Sequence, residues 1–246
     1  MLISRLYLTL LLELKAMKFF GFQIFMSFLV MPLAFLLVML AQGEVVAEKI
    51  AFALSGFMVA SMIGAFVATL ALRISNMMMP EILELYATFS LKRWEMVAGM
   101  SVAYILMILP QIIIGSIFAA MYAPDFQPLI FFSSTLVVIL SMALVSAWLG
   151  LLIKNYYIAT GLLPFLSWML MLLSPAYYRI ETLPSIMQWI LLINPITHYL
   201  ALIRQGLGIT STIPLAWSLV LTLSLLVIML ASIRKELSRM FILEKF

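Results

Sequence analysis

Long apolar stretches nearly free of charge dominate this chain and leave it few folds to choose from. A helix that crosses a membrane needs about 20 mostly apolar residues. Residues 19–41, 50–72, 96–118, 129–153 and 215–233 meet that length or come close to it. Residues 157–173 form a shorter sixth stretch with Pro164 inside it. Gln23 and Gln111 are the strongest polar interruptions, and the second stretch carries no charge at all. With 66% apolar and 10% charged residues, a soluble domain of 246 residues could not cover its own apolar surface. Cys is absent, which removes thiolate metal sites, redox pairs and Cys nucleophiles. The expected fold is an all-α polytopic membrane protein with six transmembrane helices forming a single domain over residues 1–246.

Two apolar stretches do not fit a simple span. Residues 1–18 are interrupted by Arg5, Glu13, Lys15 and Lys18, and no small-residue cleavage site follows. Arg5, Thr9 and Glu13 recur every four residues and so share one helix face. This predicts an interfacial helix lying along the membrane. Residues 174–208 contain Pro175, Pro184 and Pro195, and their apolar piece 186–193 is too short to cross. Paired short helices that enter the membrane and return are expected there. Of the 14 basic residues, 11 fall on the side of both termini and of loops 73–95 and 154–156. Only Lys49, Arg179 and Arg204 fall on the other. The bias of basic residues toward the cytoplasm then predicts both termini inside an inner (plasma) membrane, with loops 42–49, 119–128 and 174–214 outside.

The spans are poor in the groups that chemistry inside a membrane needs. Charged residues sit at span ends or in loops, which disfavours ion-coupled transport. His198 is the only His and Asp125 the only Asp, so a His-rich metal site and an aspartyl pair are both ruled out. A Ser–His pair at His198 stays open, beside the plainer reading of a His at a helix start that touches water or a carbonyl. No G-x-x-x-x-G-K-[ST] motif occurs, so nucleotide energy has to come from another polypeptide. Nothing points to nucleic acid. In the second span Gly56, Ala60, Gly64 and Ala68 are four apart and allow close helix approach. Packing within the bundle explains them, and a translocation or dimer seam is the alternative. Pro32, Pro110 and Pro164 can each kink a span.

The stretch between the second and third spans says more. Pro80 and Glu81 suit a helical first turn, and a helix over 80–89 would set Ile82, Leu85, Tyr86 and Phe89 on one face. Glu81 and Glu84 would lie beside or opposite it. Ser90 is a candidate cap for the next helix, and Lys92, Arg93 and Trp94 would sit at the membrane surface. The segment reads either as an amphipathic interfacial loop or as a docking knob for a cytoplasmic partner.

Here the chain resembles the permease subunits of ABC-2 type transporters. Their second loop carries a Glu-rich, Leu-containing coupling helix that ends in a basic–Trp–Glu run, matched by Glu81 to Glu95. Phe89-Ser90 replaces the family's common small–Pro step, and Met79-Pro80 replaces its Gly-Thr. A second match follows the fifth span: Leu183-Pro184, then Trp189, then Asn194-Pro195 with Thr197, then Arg204. In this motif Asn194 can satisfy backbone groups freed by Pro195, and Arg204 can place its charge outward over an apolar stem. The resemblance implies the N-terminal interfacial helix, the coupling helix at 80–89 and an outer re-entrant hairpin at 174–208. It implies a homodimer, or a heterodimer with a paralogue, bound to two cytoplasmic ABC ATPase subunits, with ATP and Mg on those subunits and no cofactor on this chain. Glu81, Ile82, Glu84, Leu85, Tyr86, Thr88, Phe89, Lys92 and Arg93 are the expected coupling residues. The path would run between the halves, along the first, second and fifth spans, for amphiphiles such as drugs, peptides, lipids or lipid-linked glycans. An intramembrane enzyme using His198 and a non-transporting scaffold are the competing readings.

Overall fold

A computed structural model describes residues 2–41, 46–89 and 91–243, and every regular element among them is helical. The centre is a rod made of α4 (Ala47–Ile63), a π-helical segment (Gly64–Leu70) and α5 (Ala71–Met77). Nearly all of it is buried within the protein, from Ala51 at one end to Met77 at the other. A rod shielded from lipid explains the small residues of this span: they admit neighbours on every side. Around it stand α3 (Met31–Ala41), α7 (Arg93–Tyr122), α8 (Pro128–Leu152), α9 (Tyr156–Leu172) and α11 (Pro195–Gly206). The last helix, α12 (Leu215–Leu243), packs on α8 and α11 and turns Trp217, Val220, Val227 and Ile228 outward.

The start signals sit where backbone chemistry needs them. Pro128 and Pro195 open α8 and α11, where a missing N–H costs nothing. Asn155 caps α9 by accepting the Tyr157 and Ile158 amides at 3.0 and 3.3 Å. Glu95 accepts the Lys92 amide at 2.8 Å and closes the first turn of α7. Ser90, the residue expected to cap this helix, lies outside the described residues, as do the charged residues Glu44, Glu244 and Lys245. The side chain of Gln23 is likewise not described.

Among the described residues, four helices are long and apolar enough to cross a membrane: Ala47–Met77, Arg93–Tyr122, Pro128–Leu152 and Leu215–Ser238. A fifth candidate is α10 (Ser185–Ile193) with α11, bent by 91° at the break between them. The six expected spans are therefore not six uniform helices. Residues 17–41 are helical but divided into a 3-10 turn (Met17–Phe20), α2 (Gly21–Phe25), a π-helical turn (Met26–Val30) and α3. The 17 residues of α9 rise about 25 Å, short of a core about 30 Å thick. Meanwhile α7 and α9 continue helically past Pro110 and Pro164.

Polar side chains pin the apolar bundle in register. Gln111 Nε2 donates to Ser61 Oγ at 2.8 Å between α7 and the central rod. Ser141 and Tyr199 share a bond of 2.7 Å between α8 and α11. Ser75 donates to the Ile153 carbonyl at the end of α8. Glycine sets two close crossings. A Cβ on Gly150 would stand 2.5 Å from the Ala71 carbonyl oxygen, and one on Gly99 would stand 2.6 Å from Thr9 Cβ.

The stripe of Gly56, Ala60, Gly64 and Ala68 is buried throughout. In a plain α-helix, residues four apart drift about 40° per step. The wider π-helical turn that begins at Gly64 takes back about that much, so Ala68 stays near the line set by the others. Thr69 Oγ1 donates back into the same segment, to the Ala65 carbonyl at 2.5 Å with the Gly64 carbonyl oxygen at 3.0 Å.

Candidate functional site

Charged and polar groups gather at the two ends of the bundle. At one end α1 (Leu2–Ala16) crosses α7 where Gly99 admits Thr9. The face shared by Thr9 and Glu13 points into the protein, and both are buried. Tyr7, Leu11 and Leu14 point away from it. The polar face of α1 therefore serves protein contacts rather than water.

Glu13 is the centre of that end. Arg73 donates to it twice, Nε to Oε2 at 2.9 Å and Nη2 to Oε1 at 3.1 Å. This two-pronged geometry is the strong form of a guanidinium–carboxylate pair. The Tyr86 hydroxyl donates to Glu13 Oε1 at 2.5 Å and also meets Arg73 Nη2 at 3.4 Å. Burial and the neighbouring carboxylate push the Tyr86 phenol above its ordinary pKa, so it stays a donor at any physiological pH. The Glu13 side chain is 1% exposed and the Arg73 side chain 15%. Removing either partner would strand a buried charge, at about 3–5 kcal/mol.

Tyr86 belongs to α6 (Pro80–Ala87), the element expected to dock a partner. Its faces differ from the expected ones. Ile82, Leu83 and Tyr86 turn toward the bundle. Leu85 and Phe89 are 56% and 41% exposed, on the side of Glu81, Glu84 and Thr88. The spacing of 81, 84, 85 and 88 is that of one helix stripe, so acidic and apolar residues share the outward face. The expected single apolar face splits because Tyr86 is drawn inward by Glu13, a partner 73 positions away. Lys92 is exposed and Arg93 half-buried at the start of α7.

At the other end the proline-rich segment forms a sharp corner. Asn194 Oδ1 caps α11 by accepting the Ile196 amide at 3.0 Å. Its Nδ2 donates to the Leu170 and Leu173 carbonyls at 2.9 and 2.7 Å, tying the end of α9 to the start of α11. Thr197 Oγ1 donates to the Leu191 carbonyl at 2.6 Å, which also accepts the Asn194 amide at 3.1 Å where α10 stops. Before the corner, Leu183 and Pro184 lead into α10, which exposes Ile186, Trp189 and Ile193.

His198 has a Ser beside it. Its Nε2 donates to the Leu192 carbonyl at 2.9 Å, which leaves Nδ1 to accept from Ser218 Oγ at 3.2 Å. Both residues are buried. A hydrolytic pair has to meet substrate and water. This one instead joins α10, α11 and α12.

Arg204 corrects an expectation. It does not reach outward over an apolar stem but is 5% exposed. Its Nε donates to Ser55 Oγ at 3.0 Å, Nη1 to the Pro175 carbonyl at 2.7 Å and Nη2 to the Ala176 carbonyl at 2.9 Å. The guanidinium lies 3.5 Å from the centre of the Phe52 ring. Fixed carbonyl dipoles and an aromatic face thus replace its water. Gly56 makes the arrangement possible, since a Cβ there would fall 2.1 Å from the Ala176 oxygen. None of these partners was visible in the sequence, because they come from two distant segments.

The Asn194 end also holds an exposed pair, Arg179 and Glu48, at 2.6 Å. Thr212 donates to Glu181 at 3.1 Å. Gly208, with φ of 69°, turns the chain against Asp125 in a conformation that side chains resist.

A bundle of long apolar helices with charges confined to its ends defines a multi-pass membrane protein. A family profile for ABC-2 type transporters matches residues 11–207, and the chain belongs to that family. No curated protein shows significant similarity to the chain. Members of this family form the membrane part of ABC transporters and associate with ABC ATPase partners.

Proposed function

We propose that this chain is the permease subunit of an ATP-driven exporter, a multidrug-type or lipid-type efflux system, that moves an amphiphilic substrate. It works as a homodimer or with a paralogue, on two separate ATPase subunits that hold ATP and Mg. The observation that carries this reading is the two-sided α6. Its outward stripe of Glu81, Glu84, Leu85 and Thr88, with Phe89, offers acidic and apolar groups to a partner. Its inward face is fastened through Tyr86 to Glu13 on α1 and Arg73 on the central rod. A push on α6 would pass to both elements through one carboxylate.

In this orientation α6 and both termini face the cytoplasm of an inner membrane, and the Asn194 corner faces out. The charge-poor lining available to a path between two halves suits amphiphiles better than bare ions. Docking is tested by Glu84→Lys and Leu85→Lys, assayed by copurification of the ATPase and by its stimulation. Both changes should abolish binding while the permease keeps its melting behaviour. Unchanged binding in both variants would refute α6 as the docking element.

A further inference from the structure

We infer that the cavity at the outer end of the bundle binds a zwitterionic phosphate–ammonium headgroup of the phosphoethanolamine type. The cavity measures about 320 Å³ and lies between the start of α4, the loop after α9, α11 and residues 209–213. This is more space than a single ordered water requires.

Its wall carries charges of both signs. Arg204 lines it while almost fully buried, and its three bonded N–H groups all meet neutral oxygens. Among the described residues no carboxylate lies within ion-pair distance of it. Three of its five N–H groups are taken by Ser55, Pro175 and Ala176, and the two that remain, with the positive charge that lacks a direct counter-ion, are what phosphate oxygens can accept from. Arg179 borders the same space and is held by Glu48. Glu181 also borders it, steadied by Thr212. Thr210 and Ser211 add backbone and hydroxyl groups to the wall.

A simple anion would meet Glu181, and a simple cation would meet Arg204 and Arg179. A solute with both charges a few bonds apart satisfies each side. The headgroup can belong to an outer-leaflet lipid or be free in solution. The inference concerns the isolated permease and does not depend on ATPase docking or on transport.

The test uses the purified full chain. Calorimetric titration with O-phosphoethanolamine and with inorganic phosphate forms one arm. Reconstitution in phosphatidylglycerol discs doped with phosphatidylethanolamine, followed by mass analysis of retained lipid, forms the other. Saturable binding of free O-phosphoethanolamine, or retained phosphatidylethanolamine enriched over the disc composition, is expected at about tenfold or more. The first result identifies a soluble ligand and the second a lipid; either supports the site. Arg204 also holds the 175–176 loop, so Glu181→Gln carries the mutational arm. Its amide oxygen keeps the Thr212 bond, and the preference over phosphate or phosphatidylglycerol should vanish. Absence of binding in both arms, equal retention of phosphatidylglycerol, or an unchanged preference in Glu181→Gln would overturn the assignment.

Discussion

Replacing Tyr86 with Phe isolates the fastening of α6 from its packing. The ring stays buried beside Ile82 and Leu83, and only the hydroxyl that donates to Glu13 is lost. Glu13 keeps both bonds from Arg73, so no charge is stranded. A hydrogen bond to a charged group contributes about 1.5–3 kcal/mol. If that energy holds α6 against α1 and α5, the detached population should rise about ten- to hundredfold in Tyr86→Phe. Hydrogen exchange read by mass spectrometry resolves this directly. Amides of α6 should exchange faster by that factor, while those of the central rod and α8 stay protected. In the complex, ATP turnover should persist but transport per ATP should fall. Unchanged α6 exchange, or equal loosening of the entire bundle, would refute the view that one phenol fastens this helix.

Three further outcomes follow from contacts described above. Gly99→Ala should push α1 off α7 and lower stability by about 1–3 kcal/mol in thermal unfolding, with Thr9→Gly restoring it because the clash is with Thr9 Cβ. Asn194→Ala should cost about 2 kcal/mol or more, since it removes a helix cap and two carbonyl partners; proteolysis at the α9–α11 junction should quicken. His198→Ala should cost about 1–3 kcal/mol by freeing the Leu192 carbonyl, and should leave transport measurable. Complete loss of function in a fully folded His198→Ala protein would instead favour a catalytic histidine.

The sequence showed what depends on neighbours along the chain. Apolar length gave the helices, Pro80 gave a helix start, and Asn194-Pro195 marked a break whose free backbone groups Asn194 could satisfy. Partners far along the chain stayed hidden. Glu13 lies 60 positions from Arg73 and 73 from Tyr86, and only the Thr9–Glu13 spacing hinted that α1 had a polar face to satisfy. Arg204 was misread for the same reason. Its own helix suggests an apolar stem, while its acceptors come from Ser55, Pro175 and Ala176. Span counting says least at residues 17–41, where composition is nearly uniform in its apolar character but the helix changes type along its length. Hydropathy records how greasy a segment is, not how tightly it is wound.

That winding has a consequence in the central rod. The π-helical segment Gly64–Leu70 accommodates an extra residue within a continuous helix. Each residue of an α-helix turns the chain by about 100°. Relative to an unbroken α-helix of the same sequence, everything beyond Leu70 is therefore rotated by about that angle. Gly56, against the loop at Ala176, and Arg73, against Glu13, sit on opposite sides of this dislocation. The rod acts as a camshaft whose two lobes are timed by one surplus residue. Were the segment to tighten into plain α-helix with no residue removed, both ends would stay chemically intact but fall out of phase by that angle. A single deletion between 64 and 70 that accompanied the tightening would keep them in phase.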